Sequence, residues 1–143
     1  MSAILTGTWK ANLQKSKMIG PGPKEMRMKV VHAEPKLDVE MFITTQDGEQ
    51  HRVQFRASTS GEEAVNSVLG QTWRSRLRWI GQELLIESWV QYENRELRFR
   101  DFWSLSVDGQ TLTMEHRDDD LAGQLTILER QPEQRGRRRS EQR

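Results

Sequence analysis

The sequence predicts an all-β fold, a single up-and-down antiparallel barrel of about ten strands with no helical lid. Turn-forming residues recur roughly every ten positions, and the segments between them alternate apolar with polar side chains. The first predicted strand carries Gly7-Thr8-Trp9, and the last carries Arg130. If these two strands pair, the Arg130 guanidinium can lie over the Trp9 indole at the point where the barrel closes.

The strands are delimited by turn signals that contain Gly, Pro, Asn or Asp. In chain order the signals are Gly20-Pro21-Gly22-Pro23, Glu34-Pro35-Lys36, Gln46-Asp47-Gly48, Ser58-Thr59-Ser60-Gly61, Gly70, Ile80-Gly81-Gln82, Glu93-Asn94, Val107-Asp108-Gly109 and Asp118-Asp119-Asp120 with Gly123. They separate about ten strands, an even number that lets the first and last strands pair antiparallel.

Residues 62–69 leave two alternatives open. Ser60 and Glu63 match a capping box before an apolar run, and Gly70 follows as a helix stop, which favours a short helix. A helix there would leave an odd number of strands, so that the first and last strands would run parallel. We therefore predict a short fifth strand around Glu63 to Val68.

The composition predicts one domain with a charged tail. A chain of 143 residues can bury about two-thirds of its unfolded surface and so build a core. We expect residues 1–130 to form the barrel. Residues 131–143 are rich in arginine and contain no apolar side chain, so we expect a disordered basic tail.

The chain contains no cysteine, which excludes a disulfide framework, a zinc-thiolate site and a cysteine nucleophile. Its first residues lack the basic and apolar regions of a signal peptide, and no stretch approaches the ~20 apolar residues of a membrane span. We therefore expect a cytoplasmic protein without a membrane span, while export of a longer precursor stays open.

Residues Leu5–Lys17 read LTGTWKANLQKSK and are followed by a Gly/Pro stretch, Ile19–Pro23. This start resembles that of the calycin group, which includes lipocalins and fatty-acid-binding proteins, and especially that of short bacterial lipocalin-like proteins. The resemblance implies a barrel that often holds a small apolar molecule, without implying a particular ligand. Fatty-acid-binding proteins carry a helical lid between their first two strands, whereas the glycines and prolines here prevent a helix within Met18–Lys24. This departure argues against long-chain fatty acids as ligands.

Alternation assigns an inward face to each strand. Both faces of the seventh strand are partly apolar, and we choose the face with Ser88 and Tyr92, which places Trp89 outside. The inward side chains that we predict to bind a ligand are Met28, Met41, Phe55, Trp73, Ser75, Leu77, Ser88, Tyr92, Phe99, Asp101, Trp103, Met114 and His116, and Trp79 is also predicted inward. A barrel of about ten strands keeps a cavity after its walls are lined, and aromatic and methionine linings suit flat apolar molecules. The alternative is that these side chains simply fill the core.

Asp101 is a carboxylate in the middle of an apolar inward face. It orients a ligand, acts as a general base, or is paired with an inward hydroxyl such as that of Ser75 or Tyr92. Strand direction places His51 and His116 at one rim of the barrel and His32 at the other. This separation argues against a three-histidine zinc site, and we predict neither a metal nor a cofactor.

Several arginines share the outward faces of the sixth and eighth strands, namely Arg74, Arg76, Arg78, Arg98 and Arg100. Glu87 and Glu96 lie on the outward faces of the neighbouring segments, so we expect exposed cross-strand ion pairs rather than a specific nucleic-acid surface.

The predicted function is the binding of a small, largely apolar or aromatic molecule inside the barrel, by a monomer or a homodimer. The alternative is a cofactor-free hydrolase or isomerase in which Asp101 acts with His116 or His51 as acid and base.

Overall fold

The fold is a ten-stranded antiparallel sheet that curves into a nearly closed barrel, as the sequence predicts. The computed structural model describes residues 4–117 and 124–132. The strands are β1 (Gly7–Ala11), β2 (Glu25–Ala33), β3 (Lys36–Thr44), β4 (Gln50–Ser58), β5 (Ala64–Val68), β6 (Gln71–Ile80), β7 (Glu83–Tyr92), β8 (Arg95–Leu105), β9 (Thr111–His116) and β10 (Leu125–Arg130). The predicted turn at Asp118 to Asp120 and most of the predicted tail lie outside the described residues.

The sheet order is β4-β3-β2-β1-β10-β9-β8-β7-β6-β5, and each strand pairs with its neighbours. The first and last strands are antiparallel, with Trp9 opposite Arg130. The two edges of the sheet, β4 and β5, share no backbone ladder. Instead the Asn66 side chain spans them: its Oδ1 accepts from the Arg56 backbone N–H at 2.9 Å, and its Nδ2 donates to the Arg56 carbonyl at 3.1 Å.

The segment with two alternatives forms a strand, so the helix that the capping box suggested is wrong. β5 pairs with β6 over its whole length, from Ala64 opposite Ser75 to Val68 opposite Gln71. Pairing satisfies the backbone groups that a helix would satisfy internally, and it completes the even strand number that closure requires. Glu63 lies 3.7 Å from the Arg74 guanidinium instead of capping a helix.

No helix occurs in the described part of the chain, and the connection from β1 to β2 is an extended loop. Lys17 in this loop exchanges two backbone hydrogen bonds with Leu125, at 2.7 and 2.8 Å. Farther along, the Gln46 side chain donates to the Gly22 carbonyl at 3.1 Å. We call this β1–β2 connection, which contains the stretch Ile19–Pro23, the Gly/Pro loop. It is thus attached to β10 on one side and to the β3–β4 turn on the other.

The two ends of the barrel differ. One end carries the β2–β3, β6–β7 and β8–β9 turns together with Trp9 and Arg130, and we call it the closed end. Side chains that are at most 1% exposed fill the barrel interior, and the largest are Leu5, Trp9, Met28, Leu37, Leu77, Leu84, Leu112 and Leu128. The other end, which we call the open end, carries the β1–β2 loop and the β3–β4 and β7–β8 turns.

Candidate functional site

A cavity of about 260 Å³ occupies the barrel between the packed core and the open end. The strands β4 to β9 each line it with two inward side chains that are two residues apart, as the pleat of a strand requires. The lining residues are Met41, Val53, Phe55, Asn66, Val68, Trp73, Ser75, Ile86, Ser88, Asp101, Trp103, Met114, His116, Gln124 and Thr126.

The largest apolar side chains of the cavity wall are aromatic residues and methionines. Phe55 meets Trp103 edge to face, with their ring centroids 6.3 Å apart. Trp73 stacks on Phe99 with ring centroids 5.4 Å apart, and Phe99 in turn lies 5.6 Å from the His116 ring. Such a wall offers broad, flat contact surfaces.

Two polar pairs interrupt this wall. The hydroxyls of Ser75 and Ser88, which face each other across β6 and β7, are 2.9 Å apart and buried. Asp101 and His116 face each other across β8 and β9, with 2.9 Å between Asp101 Oδ1 and His116 Nδ1. The His116 side chain is 8% exposed, whereas the Asp101 side chain is 35% exposed. The carboxylate is therefore the more accessible member of the pair.

The sequence correctly places most of its candidate ligand-binding residues around this space. Met41, Phe55, Trp73, Ser75, Ser88, Asp101, Trp103, Met114 and His116 line the cavity. Phe99 lies beside the cavity, behind Trp73. Whether these residues bind a ligand stays a prediction.

Four residues that alternation places inward lie elsewhere. Met28 and Leu77 are fully buried in the packed core, because the period of two gives the face of a residue but not its depth along the barrel. Tyr92 is 47% exposed: it ends β7 at the turn with Glu93 and Asn94, beyond the point where neighbouring strands enclose the interior. Trp79 lies at the closed end, where its indole N–H donates to Glu34 at 3.1 Å.

His51 does not join Asp101. Its Nε2 lies 2.9 Å from Glu49 Oε1, and the residue borders a groove with Phe42 and Arg52 rather than the cavity. Of the two predicted acid–base pairs, the structure forms the one between Asp101 and His116. His32 is at the closed end, as strand direction predicts.

The predicted candidates omitted some lining residues, notably Asn66, Val68, Ile86, Gln124 and Thr126. Alternation could have found Thr126, which lies two residues before the core residue Leu128 on β10. Asn66 and Val68 required the strand assignment of residues 62–69 to be settled first.

At the closed end, Arg130 covers Trp9 as predicted, with 4.4 Å from Arg130 Cζ to the centroid of the indole. The indole N–H donates to the Leu5 carbonyl at 3.1 Å, and Trp9 is fully buried. Gly7 has a φ of +150°, and a Cβ there would lie 2.4 Å from Arg130 Nη1. Glycine is therefore required for Arg130 to reach this position.

The closed end also contains a buried hydrogen-bond network around His32. The Leu5 N–H donates to His32 Nδ1 at 3.1 Å, so His32 Nε2 carries the proton and donates to Glu34. Glu34 also accepts from Thr59 Oγ1 at 2.8 Å. Burial raises the pKa of Glu34, but the hydrogen bonds from His32, Thr59 and Trp79 outweigh it and hold that pKa below its ordinary value.

The outer face of β6 to β9 carries the expected ion pairs. Arg74 lies 2.6 Å from Glu96, and Arg76 faces Glu87 in the ladder. The Arg117 guanidinium lies 3.7 Å from the centroid of the outward Phe102 ring.

Among residues 4–117 and 124–132, no group of three His, Asp or Glu side chains is placed to hold a metal ion. Nor does this part of the chain contain a helix long and apolar enough to cross a membrane.

No protein-family model matches the chain, and no curated protein matches it in sequence. Among solved structures, the fold is similar to that of a mutant of the fluorescent protein UnaG, with a TM-score of 0.60. The similarity covers 90% of this chain and 96% of that chain at 16% sequence identity, so it concerns the fold alone. It agrees with the barrel that the resemblance to the calycin group implied: the chain forms a calycin-like barrel of ten antiparallel strands.

Proposed function

We propose that this protein binds a small, largely apolar, aromatic molecule in the cavity of its open half. The observation that carries the proposal is the contrast between the two halves of one barrel. The closed half is filled by side chains, whereas large apolar side chains of the open half, such as Met41, Phe55, Trp73 and Met114, are only partly buried and face a space of about 260 Å³.

A bound apolar molecule would stabilise this arrangement. Apolar surface that faces water costs about 25 cal/mol per Å², and a flat ligand between Phe55 and Trp73 would remove such surface on both walls. The cavity of about 260 Å³ is slightly smaller than most ligand sites, which suits a compact molecule of a few rings.

The route to the cavity lies at the open end. A larger space of about 680 Å³ is bounded by the Gly/Pro loop and the β3–β4 turn, and it shares Met41, Met114, Gln124 and Thr126 with the cavity. A ligand can therefore reach the cavity beside the loop that stands where fatty-acid-binding proteins carry their helical lid. The absence of that lid is our reason to favour compact ring systems over long acyl chains as the ligand.

The test is titration with the neutral dye N-phenyl-naphthylamine, read by energy transfer from tryptophan. Roughly 0.4 kcal/mol per heavy atom over about 17 heavy atoms gives about 7 kcal/mol, which corresponds to a Kd of about 10 micromolar. Trp73 and Trp103 line the cavity, so binding there quenches their emission. Mass spectrometry of the purified protein would show whether it retains a ligand of its own.

Two Phe→Ala variants provide a matched comparison. Phe55 lines the cavity, whereas Phe102 lies on the outer face beneath Arg117. We expect Phe55→Ala to change dye affinity at least several-fold and Phe102→Ala to leave it unchanged. Absence of dye binding at any accessible concentration, or equal effects of the two variants, would contradict a binding site inside the barrel.

A second function is favoured by the Asp101–His116 pair. An imidazole 2.9 Å from a carboxylate in an apolar cavity can serve as a general base, as a hydrolase or isomerase without a cofactor requires. In that case His116→Gln would abolish turnover of the bound molecule while dye binding persists. A retained ligand that is recovered chemically unchanged after prolonged incubation supports the binding function instead.

A further inference from the structure

The cavity is poor in positive charge. The chain has 22 Lys and Arg residues, yet none of them is among the described residues that line the cavity. The arginines of β6, together with Arg98 and Arg100 of β8, occupy outward positions, and Arg74 is paired there with Glu96. Arg95 is exposed at the start of β8, beside the β7–β8 turn. A carboxylate or sulfate group of a ligand would consequently enter an apolar space without a cationic partner, which is costly.

Among the described residues that line the cavity, the side chains that can carry a charge are those of Asp101 and His116. While the carboxylate is ionised, the net charge of this pair is −1 with a neutral imidazole and 0 with a protonated one. Neither state attracts an anion. The accessible carboxylate of Asp101 is an acceptor, and a donor or a cation close to it would interact through a low dielectric medium.

Several other polar side chains in the wall are engaged with the protein. Both amide atoms of Asn66 bond to the backbone of Arg56. The hydroxyls of Ser75 and Ser88 bond to each other. Among the described residues that line the cavity, Asp101 is the only carboxylate, and its side chain is 35% exposed.

We propose that the cavity selects molecules whose aromatic frame carries a cationic nitrogen or a strong N–H donor, that Asp101 receives this group, and that the cavity discriminates against anionic molecules of the same size. This inference rests on the proposed function, because it specifies the chemistry of the ligand in the same cavity.

Two pairs of dyes test the inference, each with a common ring system and a different charge. Nile blue is the cationic counterpart of the neutral Nile red, and anilinonaphthalene sulfonate is the anionic counterpart of N-phenyl-naphthylamine. We expect Nile blue to bind about tenfold more tightly than Nile red, and the sulfonate about tenfold more weakly than its neutral counterpart. Each dye is titrated into the wild-type protein, and the ratio within each pair is compared.

Asp101→Asn removes the charge and keeps the shape of the side chain. It should bring the ratio of Nile blue to Nile red close to one and narrow the sulfonate ratio only in part, because the wall still offers no cation to the sulfonate, while the affinities for the two neutral dyes change little. Asp38→Asn is the matched control: Asp38 lies on the outer face, 3.3 Å from Arg56, so its loss changes the net charge equally and should leave both ratios as in the wild type. Melting curves of both variants verify that they are folded.

The outcomes separate the two proposals. If the neutral dyes bind but the wild-type protein shows no preference for Nile blue, the selectivity is wrong and the binding function stands. A preference that persists in Asp101→Asn overturns the role of Asp101. If none of the four dyes binds, the binding function itself fails. The affinity ratios measured on the wild-type protein test the selectivity even if a variant does not fold.

Discussion

The guanidinium of Arg130 links three segments at the closed end while it covers the Trp9 indole. Its Cζ lies 4.4 Å from the ring centroid, its Nη1 donates to the Thr6 carbonyl at 2.7 Å, and its Nε donates to the Gly109 carbonyl at 2.9 Å. One side chain on the last strand thus holds the start of the first strand and the β8–β9 turn. The junction between the first and last strands therefore depends on the Arg130 side chain.

Arg130→Ala should lower the free energy of unfolding by about 1 to 3 kcal/mol, because it removes a cation–π contact and two hydrogen bonds from a covered indole. Urea unfolding monitored by tryptophan fluorescence measures the change. Arg98→Ala, on an exposed outward position of β8, should stay within about 0.5 kcal/mol of the wild type. Equal stabilities of the wild type and Arg130→Ala would contradict the role of this residue.

Gly7→Ala should destabilise the protein for two separable reasons. The backbone at φ +150° disfavours a side chain, and the new Cβ would lie 2.4 Å from Arg130 Nη1 and displace the guanidinium. We expect a loss of about 2 to 4 kcal/mol in the single variant. In the Arg130→Ala background the steric conflict is gone, so the same substitution should cost about 1 to 2 kcal/mol. Additive losses in this double-mutant cycle would show that the two residues act independently.

This junction could be predicted from the sequence because it depends on a local sequence motif and on an even number of strands. Gly7 and Trp9 are two residues apart in the sequence, and only an even number of strands brings Arg130 beside them in an antiparallel pair. The same requirement for an even number of strands favoured a strand over a helix for β5.

The details of the site were less accessible. Alternation gives the face of Met28 and Leu77 but not their depth, and depth decides whether an inward side chain fills the core or lines the cavity. Alternation places Tyr92 on the inward face of β7, but the residue ends that strand beyond the rim of the barrel and is exposed. The contact of Asn66 with Arg56 depends on how far the sheet curves, a property of all ten strands together that no single segment encodes.

Glu34 should contribute to stability in a pH-dependent way. Burial raises its pKa, but hydrogen bonds from His32, Thr59 and Trp79 dominate and lower the pKa from the ordinary 4.5. In acid the folded protein therefore binds fewer protons at Glu34 than the unfolded chain does. This contribution is complete above about pH 4.5 and is lost as the pH falls through the lower folded pKa.

Unfolding by urea at several pH values checks this expectation. In Glu34→Gln the loss of stability between about pH 5 and pH 3 should be shallower than in the wild type, since the variant lacks the titrating group. Glu93→Gln, in the exposed β7–β8 turn, should follow the wild-type profile. Parallel profiles for the wild type and Glu34→Gln would show that the network does not favour the ionised carboxylate.

Deletion of residues 133–143 should leave the unfolding transition unchanged, because the segment contains no apolar side chain to bury. The pairing of β10 with β1 extends one residue past Arg130, because the Gln131 N–H donates to the Thr8 carbonyl at 2.8 Å. Truncation before Gln131 should therefore cost about 0.5 to 1.5 kcal/mol more than truncation after Pro132. A lower melting temperature for the shorter deletion would show that the tail stabilises the barrel.

Asn66 should control the gap between β4 and β5, since its amide replaces the missing backbone ladder between these strands. Asn66→Ala removes both hydrogen bonds and should lower the unfolding free energy by about 1 to 2 kcal/mol.

Amide exchange in Asn66→Ala should accelerate at Arg56, whose N–H loses its acceptor. Asn66→Asp retains that acceptor and loses the donor to the Arg56 carbonyl, so it should keep the Arg56 amide protected. Ser67→Ala, at the exposed neighbouring position, should alter neither quantity. Hydrogen exchange followed by NMR distinguishes the three variants, and an unchanged exchange rate at Arg56 in Asn66→Ala would mean that the two strands are held together by other contacts.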